Sequence, residues 1–125
     1  MIYVISPLIR TSFVAAIVVL AALPTNAISG SKSGDAEQAG AVLFRDKGCA
    51  HCHGDGGIGT KKAPALTGLR KDKEWTPARI NSQILNGGQK MPPFSESLTD
   101  EEIAQLIAYL RAKHRPVPPP AEPGK

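Results

Sequence analysis

The chain has 125 residues, a formal net charge of +4, a 42% hydrophobic fraction and an aromatic fraction of only 5%. The positive surplus is small and no aromatic residues interleave with it, which argues against a nucleic-acid partner. A chain this short and this poor in aromatics has little core of its own, and a buried prosthetic group would supply the missing apolar centre.

Residues 1–10 carry a single positive charge, Arg10, and residues 12–23 (SFVAAIVVLAAL) form an apolar run too short to span a bilayer comfortably. Pro24-Thr25-Asn26-Ala27 ends in small residues of the kind a signal peptidase reads. The expectation is a secretory signal peptide, residues 1–27, cut after Ala27; an uncleaved membrane anchor is the alternative. Either way the remainder is expected to be periplasmic or otherwise exported. Removal of the segment leaves 98 residues, enough for one small domain, and takes away one charge, that of Arg10.

Residues 28–34 (ISGSKSG) are small and polar and read as a flexible leader. Asp35 can cap a first helix over about 36–47, with Ala36, Ala39, Gly40 and Leu43 on its apolar face and Phe44 one turn after Gly40. Glycine inside a helix costs about 1 kcal/mol relative to alanine, and one reason to keep it is a second backbone passing close by.

Cys49-Ala50-His51-Cys52-His53 follows. Two cysteines three apart with a histidine directly after the second read as a site of c-type haem attachment. The thiols can add to the two haem vinyl groups from one side of a single turn, and His53 then offers its imidazole to the iron. A zinc site would need a second pair of ligands at similar spacing, and a thioredoxin-like redox pair would need a βαβ pattern; neither is present. A structural disulfide is the remaining rival, and it leaves His53 unexplained.

The next stretch, residues 54–60, holds four glycines but lacks the Lys-Ser/Thr ending of a phosphate loop, so it reads as backbone held close against a flat cofactor. Pro64 can offer its carbonyl to the Nδ1–H of an iron-bound histidine, and Leu66 would line the pocket. Trp75 ends a charged connector and reads as a lid on the core or a neighbour of a propionate. Thr76-Pro77 is an N-cap followed by proline at the first helical position, opening a helix to about residue 86 that buries Ile80 and Ile84 and stops at Gly87-Gly88.

Met91 is the sole methionine besides Met1 and stands before Pro92-Pro93, a poor place for a core filler and a good one for a held iron ligand. His114 is the competing sixth ligand, whereas His51 is badly placed to reach the iron. Thr99 with Glu102 makes a capping box for a last helix, and Ile103, Leu106, Ile107 and Leu110 form its apolar stripe, with Tyr109 also at helical spacing and Arg111, Lys113 and Arg115 at its far end. Residues 116–125 (PVPPPAEPGK) read as an extended, disordered tail.

Residues 35–115 resemble a class I monohaem cytochrome c. Gly40 and Phe44 match the family's N-terminal helix crossing, Leu106 and Tyr109 its C-terminal partner, Cys49, Cys52 and His53 its attachment motif, Pro64 the acceptor for the proximal histidine and Met91 the distal ligand. The resemblance implies an all-α fold whose terminal helices cross around one covalent haem c, with Cys49, Cys52, His53, Pro64, Leu66 and Met91 at the cofactor and His53 and Met91 on the metal. It implies an electron carrier cycling between Fe(II) and Fe(III) and working with protein redox partners in a respiratory or dehydrogenase chain, not an enzyme with a small-molecule substrate. The alternatives are a haem enzyme whose labile sixth ligand admits a substrate such as peroxide, and a cytochrome subunit docked on an oxidoreductase. Lys47, Lys61, Lys62 and Lys90 lie near the motif or the methionine and could steer acidic partners. The proline-rich tail departs from the family pattern.

Overall fold

A computed structural model of the chain describes residues 31–121 and 123. The segment expected to be a signal peptide lies outside the described residues, as do positions 28–30 of the expected leader. Four α-helices, α1 (Ser31–Asp46), α2 (Cys49–His53), α3 (Pro77–Asn86) and α4 (Asp100–Leu110), and a 3-10 turn at Asp55–Gly57 make up the regular structure, with no strand among the described residues. The all-α expectation holds. Among the described residues no helix is long and apolar enough to cross a membrane.

The largest interface between elements joins α1 to α4, and Gly40 sets how closely they cross. A Cβ at Gly40 would run into the Gln105 carbonyl oxygen and come within 2.6 Å of Tyr109 Cβ, so only glycine fits there. One turn on, the Phe44 ring meets the Tyr109 ring with centroids 5.4 Å apart and a tilt of 49°, an arrangement aromatic quadrupoles favour. Tyr109, Ile103 and Leu106 are the largest fully buried side chains. The apolar face of α1 is rotated slightly from the expected one: Ala41 is buried beside Gly40 and Phe44, while Ala36, Ala39 and Leu43 are half-buried.

Thr76 caps α3 by accepting from Arg79 N–H at 3.2 Å, and Ile80 and Ile84 turn into the core. The capping box of α4 is complete: Thr99 Oγ1 accepts from Glu102 N–H at 3.2 Å, and Glu102 Oε2 accepts from Thr99 N–H at 2.8 Å. Glu102 also pairs with Lys47 Nζ at 3.2 Å, which joins the end of α1 to the start of α4. These contacts, first the Thr99 backbone N–H and then Lys47, hold the Glu102 carboxyl below its ordinary value of 4.5. A depressed carboxylate adds stability that is complete above the unfolded value and is lost as pH falls through the folded one. Glu102→Gln is therefore expected to be less stable than wild type above pH 4.5, with the gap closing at more acid pH, as measured by thermal unfolding across that range. A gap that stays constant through the acid limb would contradict this.

Three features differ from expectation. Helix α1 begins at Ser31, so residues 31–34 of the expected leader are helical and Asp35 lies inside the helix rather than at its cap. Helix α4 ends at Leu110, and Arg111 and Arg115 leave it. The proline-rich tail lies along α1: Gln38 Nε2 donates to the Val117 carbonyl at 3.3 Å and Arg45 Nη1 to that of Pro119.

Candidate functional site

The cysteine–histidine motif forms the single turn of α2, opened by Gly48 and closed where Gly54 N–H donates to the Ala50 carbonyl at 2.9 Å. On such a turn residues three apart share a face, which places both thiols on one side. Both are free; Cys49 is half-buried and packs against the core, and Cys52 is exposed. Burial, more than anything else, pushes the Cys49 thiol up from its ordinary range.

His53 ends the turn with Nδ1 2.9 Å from the Pro64 carbonyl oxygen. A carbonyl can only accept, so Nδ1 is the donor, and in the neutral ring the lone pair falls to Nε2. The chain between His53 and Pro64 is stitched to make this meeting possible. Gly59 N–H donates to the His53 carbonyl at 2.7 Å, Thr60 Oγ1 donates to the Cys52 carbonyl, and Leu66 N–H donates to the Gly57 carbonyl at 2.8 Å. Gly59 has φ 91°, and a Cβ there would come within 2.7 Å of Ala65 N. Gly59 thus passes close to the returning segment that bears Pro64.

Leu66 is half-buried against the core, as is Met91. The Met91 loop is pinned to α3 at both ends. Gly88 N–H donates to the Met91 carbonyl at 2.8 Å, Gln83 Nε2 to that of Gly87 at 2.7 Å, and Phe94 N–H to that of Ile84 at 3.1 Å. Gly87 sits at φ 69°, and a side chain there would collide with the Met91 carbonyl oxygen. Cys49, Leu66 and Met91 are therefore gathered around one core. His114 is exposed beyond the end of α4, and His51 is exposed, with its Nδ1 lying over Gly48. Among the described residues no three His, Cys, Asp or Glu side chains cluster so as to hold a metal. A haem fits these residues: two thiols on one face, an imidazole with a free Nε2, and a thioether held in a clamped loop.

The arginines after α4 are contacts the sequence did not reveal. Arg111 Nη1 donates to the carbonyls of Leu69 at 3.0 Å and Trp75 at 2.7 Å. Arg115 reaches Gly56, Leu66 and Leu110. Trp75 is half-buried against the core with the Arg79 guanidinium 4.6 Å above its ring.

Residues 35–110 match the family described as cytochrome C oxidase, cbb3-type, subunit III. The chain belongs to this family and is a class I c-type cytochrome. The cytochrome is 35% identical over 89 residues to the cbb3-type cytochrome c oxidase subunit FixP of Sinorhizobium medicae, a match covering 60% of this chain but only 29% of that one. It is 36% identical over 80 residues to cytochrome c6 of Leptolyngbya boryana, covering 60% of this chain and 89% of that protein. Among solved structures it resembles cytochrome CL of Methylophaga aminisulfidivorans, with a TM-score of 0.50, 28% identity, and coverage of 62% of this chain and 55% of that one.

Proposed function

We propose that this cytochrome is an exported single-haem electron carrier, with one haem c thioether-linked through Cys49 and Cys52 and its iron held by His53 and Met91. Bound there, haem supplies a one-electron Fe(II)/Fe(III) couple. The observation that carries the reading is the His53 Nδ1–H donated to Pro64 at 2.9 Å directly beside two free thiols. That hydrogen bond fixes the ring orientation and raises the basicity of Nε2, the support a metal-bound imidazole needs. The Met91 loop offers the second axial donor, and a thioether there favours the reduced state and raises the potential. Held by both His53 and Met91, the iron would leave no position open to a substrate, which favours a carrier over an enzyme. Export rests on the pattern of residues 1–27.

Its partners on this reading are redox proteins of a respiratory or dehydrogenase chain with acidic docking faces. Lys61, Lys62 and Lys90 are exposed and available for steering. Lys47 is not, being engaged by Glu102 at 3.2 Å and the Ser97 carbonyl at 3.2 Å. A second reading, a haem module of an oxidase assembly, is favoured by the match to FixP, of which this chain spans about three tenths. The test is denaturing electrophoresis of the secreted protein, followed by redox titration. A carrier retains haem staining on the band, holds one haem per chain, exchanges electrons as an isolated protein and turns over no peroxide. Loss of haem on denaturation, or a Cys49–Cys52 disulfide, defeats the attachment; stable co-purification with an oxidase selects the second reading.

A further inference from the structure

Arg115 makes three hydrogen bonds and a ring contact, and it lies beyond the motif, the methionine loop and every capping signal. Its Nη1 donates to the Gly56 carbonyl at 2.6 Å, and its Nη2 donates to the carbonyl of Leu66 and, at 2.8 Å, to that of Leu110. The two loop carbonyls it grips belong to residues at the feet of one loop. Leu66 N–H donates to the Gly57 carbonyl at 2.8 Å and closes that loop, and Pro64 lies inside it two residues from the foot. A planar guanidinium spans two acceptors at fixed separation in a way an ammonium does not. Its Cζ also lies 5.5 Å from the centroid of Tyr109, the ring that meets Phe44 at the helix crossing.

We infer that Arg115 is a positioning residue for the axial histidine: by stapling the feet of the Gly57–Leu66 loop to α4 it holds the Pro64 carbonyl against His53 Nδ1–H, and so helps set the potential. The inference rests on the reading of His53 as an iron ligand. A hydrogen bond to Nδ1–H gives the imidazole anionic character and favours Fe(III). Slackening the loop weakens that bond, exposes the proton and shifts the potential upward. The staple is only half-buried, and burial lowers the guanidinium's proton affinity from its ordinary value. Its three carbonyl acceptors and the Tyr109 face compensate for lost water.

The experiment uses the haem-loaded protein and reads proton exchange at His53 Nδ1 by nitrogen-15 NMR together with the potential. Arg115→Met keeps the bulk and removes the donors; Arg115→Lys keeps the charge but not the fork and serves where the methionine variant fails to load. Ile80→Val, a buried change in α3, is the control for general loosening. The expected result is at least tenfold faster Nδ1–H exchange and a raised potential in Arg115→Met, a smaller change of the same sign in Arg115→Lys, and neither in Ile80→Val. Wild-type exchange and potential in Arg115→Lys, or equal acceleration in Ile80→Val, overturns the inference while leaving the carrier reading intact. Absence of a hyperfine-shifted His53 ring in the wild-type protein overturns that reading instead, and this inference with it.

Discussion

Gly40→Ala is expected to be among the most destabilising single-methyl changes in the protein. The new Cβ would enter the Gln105 carbonyl oxygen and approach Tyr109 Cβ to 2.6 Å and Gln105 C to 2.7 Å. Two of these neighbours are backbone inside a helix and cannot turn aside, so α1 and α4 must separate. Separation parts Phe44 from Tyr109 and disturbs the tight burial of Ala41 and Leu106. Overpacking of this kind lies at or above the top of the roughly 1–3 kcal/mol usually measured. A domain of this size loses about 4–8 °C in Tm per kcal/mol, so a fall of more than about 10 °C is expected by calorimetry. Gly34 supplies the contrast: it lies in the same helix with nothing within 4 Å of its would-be Cβ. Gly34→Ala is expected to leave Tm unchanged or raise it slightly, through better helix propensity. Equal effects of the two substitutions would show that the crossing is not as close as described.

The contrast also shows what the sequence could say. The crossing of Gly40 and Phe44 with Leu106 and Tyr109 was legible through the resemblance to class I cytochromes c; the helical glycine by itself pointed only to a close backbone. The capping box at Thr99, the Thr76-Pro77 start and the stop at Gly87 were legible because capping is settled within a few residues. The Pro64 acceptor was legible through the chemistry of an imidazole that must be oriented. The arginine contacts were not. Arg115 reaches Gly56 across 59 positions, and Arg111 reaches Trp75 across 36. Nothing local distinguishes them from basic residues placed at a helix C-terminus, which is how the charge pattern presents them. The start of α1 was missed because Ser31, Ser33 and Gly34 are weak helix formers. The tail was read from composition alone, yet its carbonyls, which proline leaves without a neighbouring N–H, accept from Gln38 and Arg45 on α1. The glycine loop was read as backbone held close against a flat cofactor, whereas the close approach the fold shows is that of Gly59 to the backbone of Ala65.

On the proposed reading of Met91 as an iron ligand, Met91→Ala is expected to lower the reduction potential sharply and to open the haem iron to carbon monoxide. The motive is local geometry. Met91 is half-buried against the core in a loop fastened through Gly87, Gly88 and Phe94 to the end of α3. Axial ligand identity spans roughly 0.8 V across haem proteins, and a thioether contributes by favouring Fe(II). Replacing it with water or nothing should forfeit a substantial part of that range, which spectroelectrochemical titration reads directly. Gly87→Ala provides an independent route to the same ligand. A Cβ at φ 69° would strike the Met91 carbonyl oxygen and approach Pro92 C to 2.8 Å, displacing the loop without touching the sulfur. It is expected to shift the potential in the same direction by a smaller amount and to give partial carbon monoxide binding. His114 is exposed beyond α4, and His114→Ala is expected to leave both the potential and the closed site unchanged. A fall in potential in His114→Ala with wild-type behaviour in Met91→Ala would transfer the sixth position to the histidine and the methionine to the core.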